Sequence, residues 1–592
     1  MKKLNNAIVL PLIGAMMCGA FACVPAQEVS DAAAKSYTDL ANTATLGSSL
    51  RIEPSVVYEV KSKGDLGAIE SADVAPSVAL LEVSAGMNVK FTDGNMEFAT
   101  LFDDYLKGDV IPALRIETEE LAQEFVAYMT DTYYISDIMV VSSSSAVLDL
   151  IYNDEVCFIA NGVYDVSDRE ISSNRYDFWE HIATANSVGA NILMIDGEDE
   201  NAAVAANYAA ALNKVCWGKV SAAESAAVGA VAAGCYGIVG DSLATMQSAI
   251  VKFEKSGFAQ AQSVAAHRGI TKYANENSLT SCAAAVNEGA THIEIDVQVT
   301  RDGEIILCHN SDAGYTSTSA ASNWIVLKTA EELRKETLND YDEGYGETFP
   351  TLDELIEVLI DTDVIFIVEL KIDGASPVAL SLNPIEKIYE IFSSYDKMTG
   401  RWLAITFYGS YAKAMREVCP EIPVCCLGFA KETETNIINW DLRPESSTVA
   451  PVAQFIRFCR NANVGLDFTV TSDTYGTVKN YAVRGYLQNT WTYETTDHTS
   501  YGVNIATTNK AEEMAMKVKE VAVGNIELTA EQINSGSAKV PCRTYNGFVS
   551  ENKCSIVYVD GTAEAGKTVR VLFVYQDGAY GVYSNLVKVT VK

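Results

Sequence analysis

Seven residues in the middle of this 592-residue chain have the types and spacing to hold a cation and move protons: His267, Arg268, Glu294, Asp296, His309, Glu369 and Lys371. Glu294 and Asp296 lie two apart in the apolar run HIEIDVQV, and strand side chains alternate faces, so both carboxylates project the same way. Glu369 and Lys371 repeat the spacing in DVIFIVELKID. A buried carboxylate without a partner is costly, so such groups are paired or bind metal. Three carboxylates converging from two strands make a hard oxygen site, suited to Ca²⁺ or Mg²⁺ and not to zinc. His267 closes the strand-like run SVAAH, and His309 closes a second strand after the Arg301-Asp302-Gly303 turn. Two histidines at strand ends supply a general acid and a general base near neutral pH. Arg268 and Lys371 are cations of the kind that hold a phosphate. The set spells metal-assisted phosphodiester cleavage.

Each residue also has a plainer reading. Glu294 and Asp296 alone fit an edge strand facing water, a lone His267 fits a hydrogen-bonded core position, and Lys371 fits a neutralising partner for Glu369. The company they keep favours the site. His181, His292 and His498 lack that company and read as structural or exposed. By parity His292 shares the face of Glu294 and Asp296, and it is expected lower in the same barrel.

The elements that must position these groups carry a resemblance. His267-Arg268-Gly269, Glu276-Asn277, Gly289-Ala290, Ile293-Glu294-Ile295-Asp296-Val297, Thr300-Arg301-Asp302-Gly303 and His309 follow in order, then Pro350-Thr351-Leu352 and Glu369-Leu370-Lys371. This series resembles the glycerophosphodiester phosphodiesterase family, from about Ala261 to Val521. The resemblance implies a TIM barrel with its chemistry at the C-terminal ends of the strands. It implies hydrolysis of a glycerophosphodiester to glycerol 3-phosphate and an alcohol. Glu294, Asp296 and Glu369 would hold the metal, and His267 and His309 would be the acid–base pair, with His267 taken as base and His309 as acid although the sequence does not distinguish the two orders. Arg268, Lys371, Asn277 and Trp491 form the expected phosphate- and substrate-binding set. Three places depart from the family pattern: Asn310 stands where Asp is usual, Thr406-Phe407 replaces a Ser-Phe pair, and Thr508-Asn509 replaces Thr-Asp with no Pro following. A related barrel lipase cleaving lysophospholipid or sphingolipid head groups, and a non-catalytic surface protein binding wall glycerophosphate polymer through its C-terminal domain and the region before the barrel, are the alternatives.

The region before this barrel reads as a worn copy of it. DVIPALRIET (109–118) aligns without gaps to DVIFIVELKI (363–372), which puts Arg115 at the place of Glu369. The same comparison puts Glu82 at Glu294, Ser84 at Asp296 and Thr92 near His309. Residues 27–260 are therefore expected to form a degenerate, non-catalytic TIM-like barrel, and 522–592 a small immunoglobulin-like β-sandwich. AEEMAMKVKEV (511–521) is expected to be the last barrel helix.

Composition narrows the partners. Lys+Arg 43 against Asp+Glu 78 gives a net charge of −35, which repels phosphate backbones and argues against nucleic acid. The basic start and the apolar run Ala7–Ala22 read as a secretory signal over 1–26, so the protein is expected to be exported to the envelope or beyond, with a lipid anchor at Cys23 as the lesser reading. No later run reaches the roughly 18 apolar residues of a spanning helix. Most of the 13 cysteines sit in apolar runs as buried thiols, and Cys542 and Cys554 are the one candidate pair.

Overall fold

The computed structural model describes residues 52–592 apart from several loop segments, the longest being 429–458 and 494–502. The leader 1–26 with Cys23, the stretch to Ser49, and His498 lie outside the described residues.

Two closed barrels follow one another. In the first, β1 (Ser55–Glu59), β2 (Val78–Ser84), β5 (Ile111–Arg115), β6 (Ile138–Ser142), β7 (Ala160–Asp165), β8 (Ala190–Asp196), β9 (Val215–Lys219) and β10 (Gly237–Gly240) run parallel in that order around the ring. The ring closes where β1 pairs with both β10 and β2. β3 (Asn88–Phe91) and β4 (Gly94–Glu97) extend β2 as an antiparallel flap. Strands such as IMVVS are buried throughout, as parallel strands covered by helices must be.

The second barrel repeats the plan. Its ring is β11 (Ser263–His267), β12 (His292–Val299), β14 (Ile365–Leu370), β15 (Trp402–Thr406), β16 (Val424–Gly428), β17 (Gly465–Thr469), β18 (Gln488–Tyr493) and β19 (Ile505–Thr508), closed between β19 and β11. β13 (Ile305–Leu307) pairs antiparallel with β12, as β3 does with β2. The expected degenerate copy is therefore present.

Strand register corrects the residue correspondence within the repeat. Glu294 lies opposite His267 and Asp296 opposite Glu369. In the first barrel, Leu80 lies opposite Glu59 and Glu82 opposite Arg115. Glu82 thus takes the place of Asp296, Leu80 that of Glu294 and Glu59 that of His267, two residues from the correspondence the sequence suggests. A two-residue shift keeps every side chain on its face and leaves the apolar pattern unchanged, so the sequence does not distinguish the two registers.

The barrels are stacked floor to floor. On the second barrel the contacts come from the turns before strands or the strand starts; on the first they come from such turns, from the helices Trp179–Ser187 and Ala202–Ala211 that lead into β8 and β9, and from the 3₁₀ turn Arg175–Phe178. Tyr208 donates to the Gly400 carbonyl at 2.7 Å, Asn504 to Ala210 O at 2.8 Å, and Asn186 to Pro420 O and Ile422 O at 2.8 and 3.0 Å. Arg175 and Tyr176 hold Asp363, and Arg484 holds Asp137. A Cβ on Gly465 would lie 2.0 Å from Asn213 Nδ2, so only glycine lets the first barrel approach so closely. The Ala-rich helix Ala202–Ala211 is buried on nearly all sides because it lies between the two bodies. His292 is wholly buried and donates from Nε2 to Ala211 O at 2.9 Å, which makes it a floor residue as expected.

The tail is one six-stranded sheet in the order β20 (Val518–Val521), β22 (Ser537–Thr544), β23 (Val549–Asp560), β24 (Thr568–Asp577), β25 (Tyr580–Val591) and β21 (Ile526–Leu528). It curls so that Tyr580 of β25 donates to the Val518 carbonyl of β20 at 2.5 Å. The helix expected over 511–521 does not form. A single 3₁₀ turn at Ala511–Met514 gives way to β20, because Val518 and Val521 pack as strand residues and Lys519 is buried against Tyr545. The tail leans on both barrels: Tyr583 donates to Phe253 O at 3.1 Å, and Gly289 packs against the Tyr545 backbone. Cys542 and Cys554 face each other as thiols, Sγ to Sγ 3.8 Å. Cys308, Cys425 and Cys426 are buried, as expected. No helix of the described residues is long and apolar enough to cross a membrane.

Candidate active site

The C-terminal mouth of the second barrel gathers the predicted residues. Glu294 and Asp296 rise from β12 and Glu369 from β14, and all three are buried. One oxygen from each lies within 4.8 Å of the others. Glu294 Oε1 and Asp296 Oδ1 are buried without a hydrogen-bond partner. Burial and mutual repulsion push Glu294 well above the usual carboxylate range and Glu369 up to about 8. Asp296 is held below its ordinary value by Arg268 and Lys371, which outweigh its burial. Converging carboxylates that resist ionising together, with orphaned oxygens aimed at one point, fit a hard divalent cation.

The loop after β11 is folded to serve this cluster. The Arg268 backbone N–H donates to Glu294 Oε2 at 3.0 Å. Its guanidinium lies 2.9 Å from Glu276 Oε2 and 3.2 Å from Asp296 Oδ2. Arg268 and Asn277 both have left-handed backbones, φ 59° and 55°, a strain that concentrates at functional sites. Gly269, at φ 82°, has no room for a Cβ, which would meet Ser281 Oγ at 2.4 Å. Asn277 is buried beside the cluster, against Asp296. Its Nδ2 donates to Asp296 Oδ2 at 2.8 Å and its Oδ1 accepts from the Asp296 backbone at 3.0 Å. It orients a carboxylate of the cluster.

His267 and His309 flank the carboxylates. His267 Nε2 is 4.0 Å from Glu294 Oε2, and Nδ1 is 2.7 Å from Asn509 Oδ1. His309 Nδ1 lies 3.3 Å from Asn310 Oδ1. Burial lowers both histidines, with Arg268 adding to the effect on each. Lys371 Nζ lies 2.5 Å from Glu369 Oε1 and 3.9 Å from Asp296 Oδ1, and it faces the Phe407 ring at 5.5 Å. Trp491 packs edge-on against Phe407, ring centres 5.5 Å apart, so the two make one aromatic wall.

Three contributors were not singled out from the sequence. Asn509 and Phe407 appeared only as variations on a pattern, though the strand-end placement of each was a usable signal. Asp467 carried no motif. It is buried inside the barrel with Oδ1 unpartnered, and burial and the Glu369 charge push its pKa well up. His181 packs against Phe178 at 5.3 Å, away from the site.

Residues 267–519 match the model of the glycerophosphoryl diester phosphodiesterase family. A glycerophosphodiester phosphodiesterase of Caldanaerobacter subterraneus is 32% identical over 135 residues, 22% of this chain and 53% of that protein. A probable glycerophosphodiester phosphodiesterase 1 of Mycobacterium tuberculosis is 29% identical over 174 residues, 28% of this chain and 64% of that one. The chain thus spans 53% and 64% of these two relatives' lengths. Among solved structures, an Oleispira antarctica phosphodiesterase in complex with sn-glycerol-3-phosphate is 20% identical, with a TM-score of 0.35, covering 43% of this chain and 95% of that one. With the motif residues of the sequence brought to one barrel mouth, the resemblance to the glycerophosphoryl diester phosphodiesterase family is borne out over the second barrel, residues 267–519.

Proposed function

We propose that the second barrel is a divalent-metal phosphodiesterase that hydrolyses glycerophosphodiesters to glycerol 3-phosphate and an alcohol. The observation that carries this is the cluster of Glu294, Asp296 and Glu369, with orphaned oxygens, between two histidines and two cations. The three carboxylates would hold the metal, Ca²⁺ or Mg²⁺, which supplies Lewis acidity toward a phosphoryl oxygen.

The chain's own residues do the rest. His267 Nε2 takes the proton of the nucleophilic hydroxyl, either water or the neighbouring glycerol hydroxyl. His309 gives a proton to the leaving alkoxide. With a cyclic phosphate intermediate each histidine serves twice. Arg268, braced by Glu276, adds positive charge beside the phosphoryl group. Lys371 screens Glu369 and Asp296 and lies within reach of a phosphate oxygen. The aromatic wall of Phe407 and Trp491 offers an apolar face to the glycerol carbons.

The first barrel serves as scaffold, and the chain is exported, with its substrate outside the cytoplasm. The decisive assay measures product release from a panel of glycerophosphodiesters, with and without chelator. Glycerol 3-phosphate release that stops in chelator supports the reading. Choline release from lysophospholipids alone would replace it with a lipase of the lysophospholipase D type. No turnover with metal present would leave a binding protein.

A further inference from the structure

The neutral His267 ring carries its proton on one of two nitrogens, and that choice decides whether its lone pair faces the site. Nδ1 lies 2.7 Å from Asn509 Oδ1. An amide oxygen accepts and does not donate, so this bond needs the proton on Nδ1. Nε2 is left with its lone pair, 4.0 Å from Glu294 Oε2. At that distance the two atoms are not hydrogen-bonded, so the Nε2 lone pair stays open to a hydroxyl proton.

The register explains why Asn509 stands there. β19 pairs with β11 so that Thr508 lies opposite Ala266, and the next residue of each strand is Asn509 and His267. Thr508 Oγ1 accepts the Lys510 N–H at 3.0 Å and turns the chain just beyond. An aspartate at this position gives the same geometry with a negative charge that favours the imidazolium. The amide holds the ring without that charge. The other pair is longer, 3.3 Å between His309 Nδ1 and Asn310 Oδ1, beyond the usual range for an N–H···O bond. The two histidines are therefore held unequally.

We infer that Asn509 is a positioning residue that fixes His267 in the Nδ1–H form, so that Nε2 is the atom that accepts the nucleophile's proton. This rests on the phosphodiesterase reading for its catalytic consequence, but not for its structural content.

The test uses the full chain with ¹⁵N-labelled histidine at a pH where the rings are neutral. Only five histidines contribute signals, and His267→Gln identifies the relevant one. The expected spectrum shows a protonated Nδ1 and an unprotonated Nε2. Asn509→Leu is expected to lose that pattern and to lower kcat roughly 10- to 100-fold with KM within about threefold. Asn509→Asp, which keeps an acceptor at the same atom, is expected to restore the pattern and most of kcat. A wild-type ring protonated on Nε2 overturns the inference, as does wild-type kcat in a folded Asn509→Leu. If the wild-type chain hydrolyses no glycerophosphodiester, the functional reading fails while the spectrum still decides what Asn509 does.

Discussion

Arg115 and Glu369 hold the same position in the two barrels and carry opposite charge. Arg115 lies opposite Glu82 on β2, as Glu369 lies opposite Asp296 on β12. The guanidinium pairs with Asp165 at 2.7 Å and Glu117 at 3.1 Å, so a fixed cation is already built into the first mouth. A mobile cation has no work there. Calorimetric titration of the full chain with Ca²⁺ or Mg²⁺ is therefore expected to show one site, lost in a Glu294→Gln/Asp296→Asn double variant. Residual stoichiometric binding in that variant would place a second site in the first barrel.

Neutralising the acidic cluster is expected to separate activity from stability. Glu294→Gln, Asp296→Asn and Glu369→Gln should each abolish turnover. Without metal, each should leave the melting temperature unchanged or raised, because the carboxylates repel one another. Saturating metal should raise the wild-type melting temperature by mass action and leave the variants unmoved. Full turnover in chelator after dialysis would refute the metal assignment.

Replacing His267 or His309 with Ala is expected to cost about 10²- to 10⁴-fold in kcat. The double variant should cost less than the product of the two if they act as a unit. Because burial and Arg268 lower His267, the acidic limb of kcat/KM is expected below the ordinary histidine value of about 6.5. Bound metal pushes in the same direction. An acidic limb well above that value would take His267 out of the base role.

Lys214 belongs to the first barrel but is buried at the junction, donating to Asn191 Oδ1 at 2.7 Å. Burial lowers it to about 7 from 10.5. Its folded pKa is depressed, so the unfolded chain binds more protons between those values, and this group's contribution to stability rises with pH across that window. The slope is at most about 1.4 kcal/mol per pH unit. Lys214→Met is expected to remove it: the stability difference between variant and wild type should change between pH 7 and pH 10.5 and be flat below. Parallel stability curves would show that Lys214 is charged in the folded protein.

The junction itself is open to test at Gly465. A valine there must displace Asn213, and overpacking of this kind costs roughly 1–3 kcal/mol. The variant should unfold at lower temperature and lose activity as it unfolds, though Gly465 is far from the chemistry. Wild-type stability in Gly465→Val would mean that the two floors do not hold together in solution.

The second barrel was largely legible because its site puts polar residues into apolar strands, and such residues stand out. Glu294, Asp296, Glu369, His267 and His309 were found that way, and the structure gathers them at one mouth. The repeat was legible through DVIPALRIET, but its residue correspondence was not, since register lives in backbone pairing and not in composition. The 511–521 segment misled because Ala, Glu, Met and Lys favour helices locally, while the partner strand that claims Val518–Val521 lies some twenty residues further on. The floor contacts had no sequence signal. Tyr208, Asn186 and Asn504 are unremarkable residues whose partners are backbone carbonyls remote in the chain.

The floor-to-floor stacking gives the molecule two ends that face away from each other. A molecule held at the first mouth lies on the far side from the Glu294, Asp296 and Glu369 cluster. The first barrel therefore cannot pass a substrate to the second, nor act as its lid. A polymer touching both ends would have to run along the outside of the whole molecule. If the first mouth rests against a surface, the catalytic mouth is turned outward from it, toward whatever diffuses past.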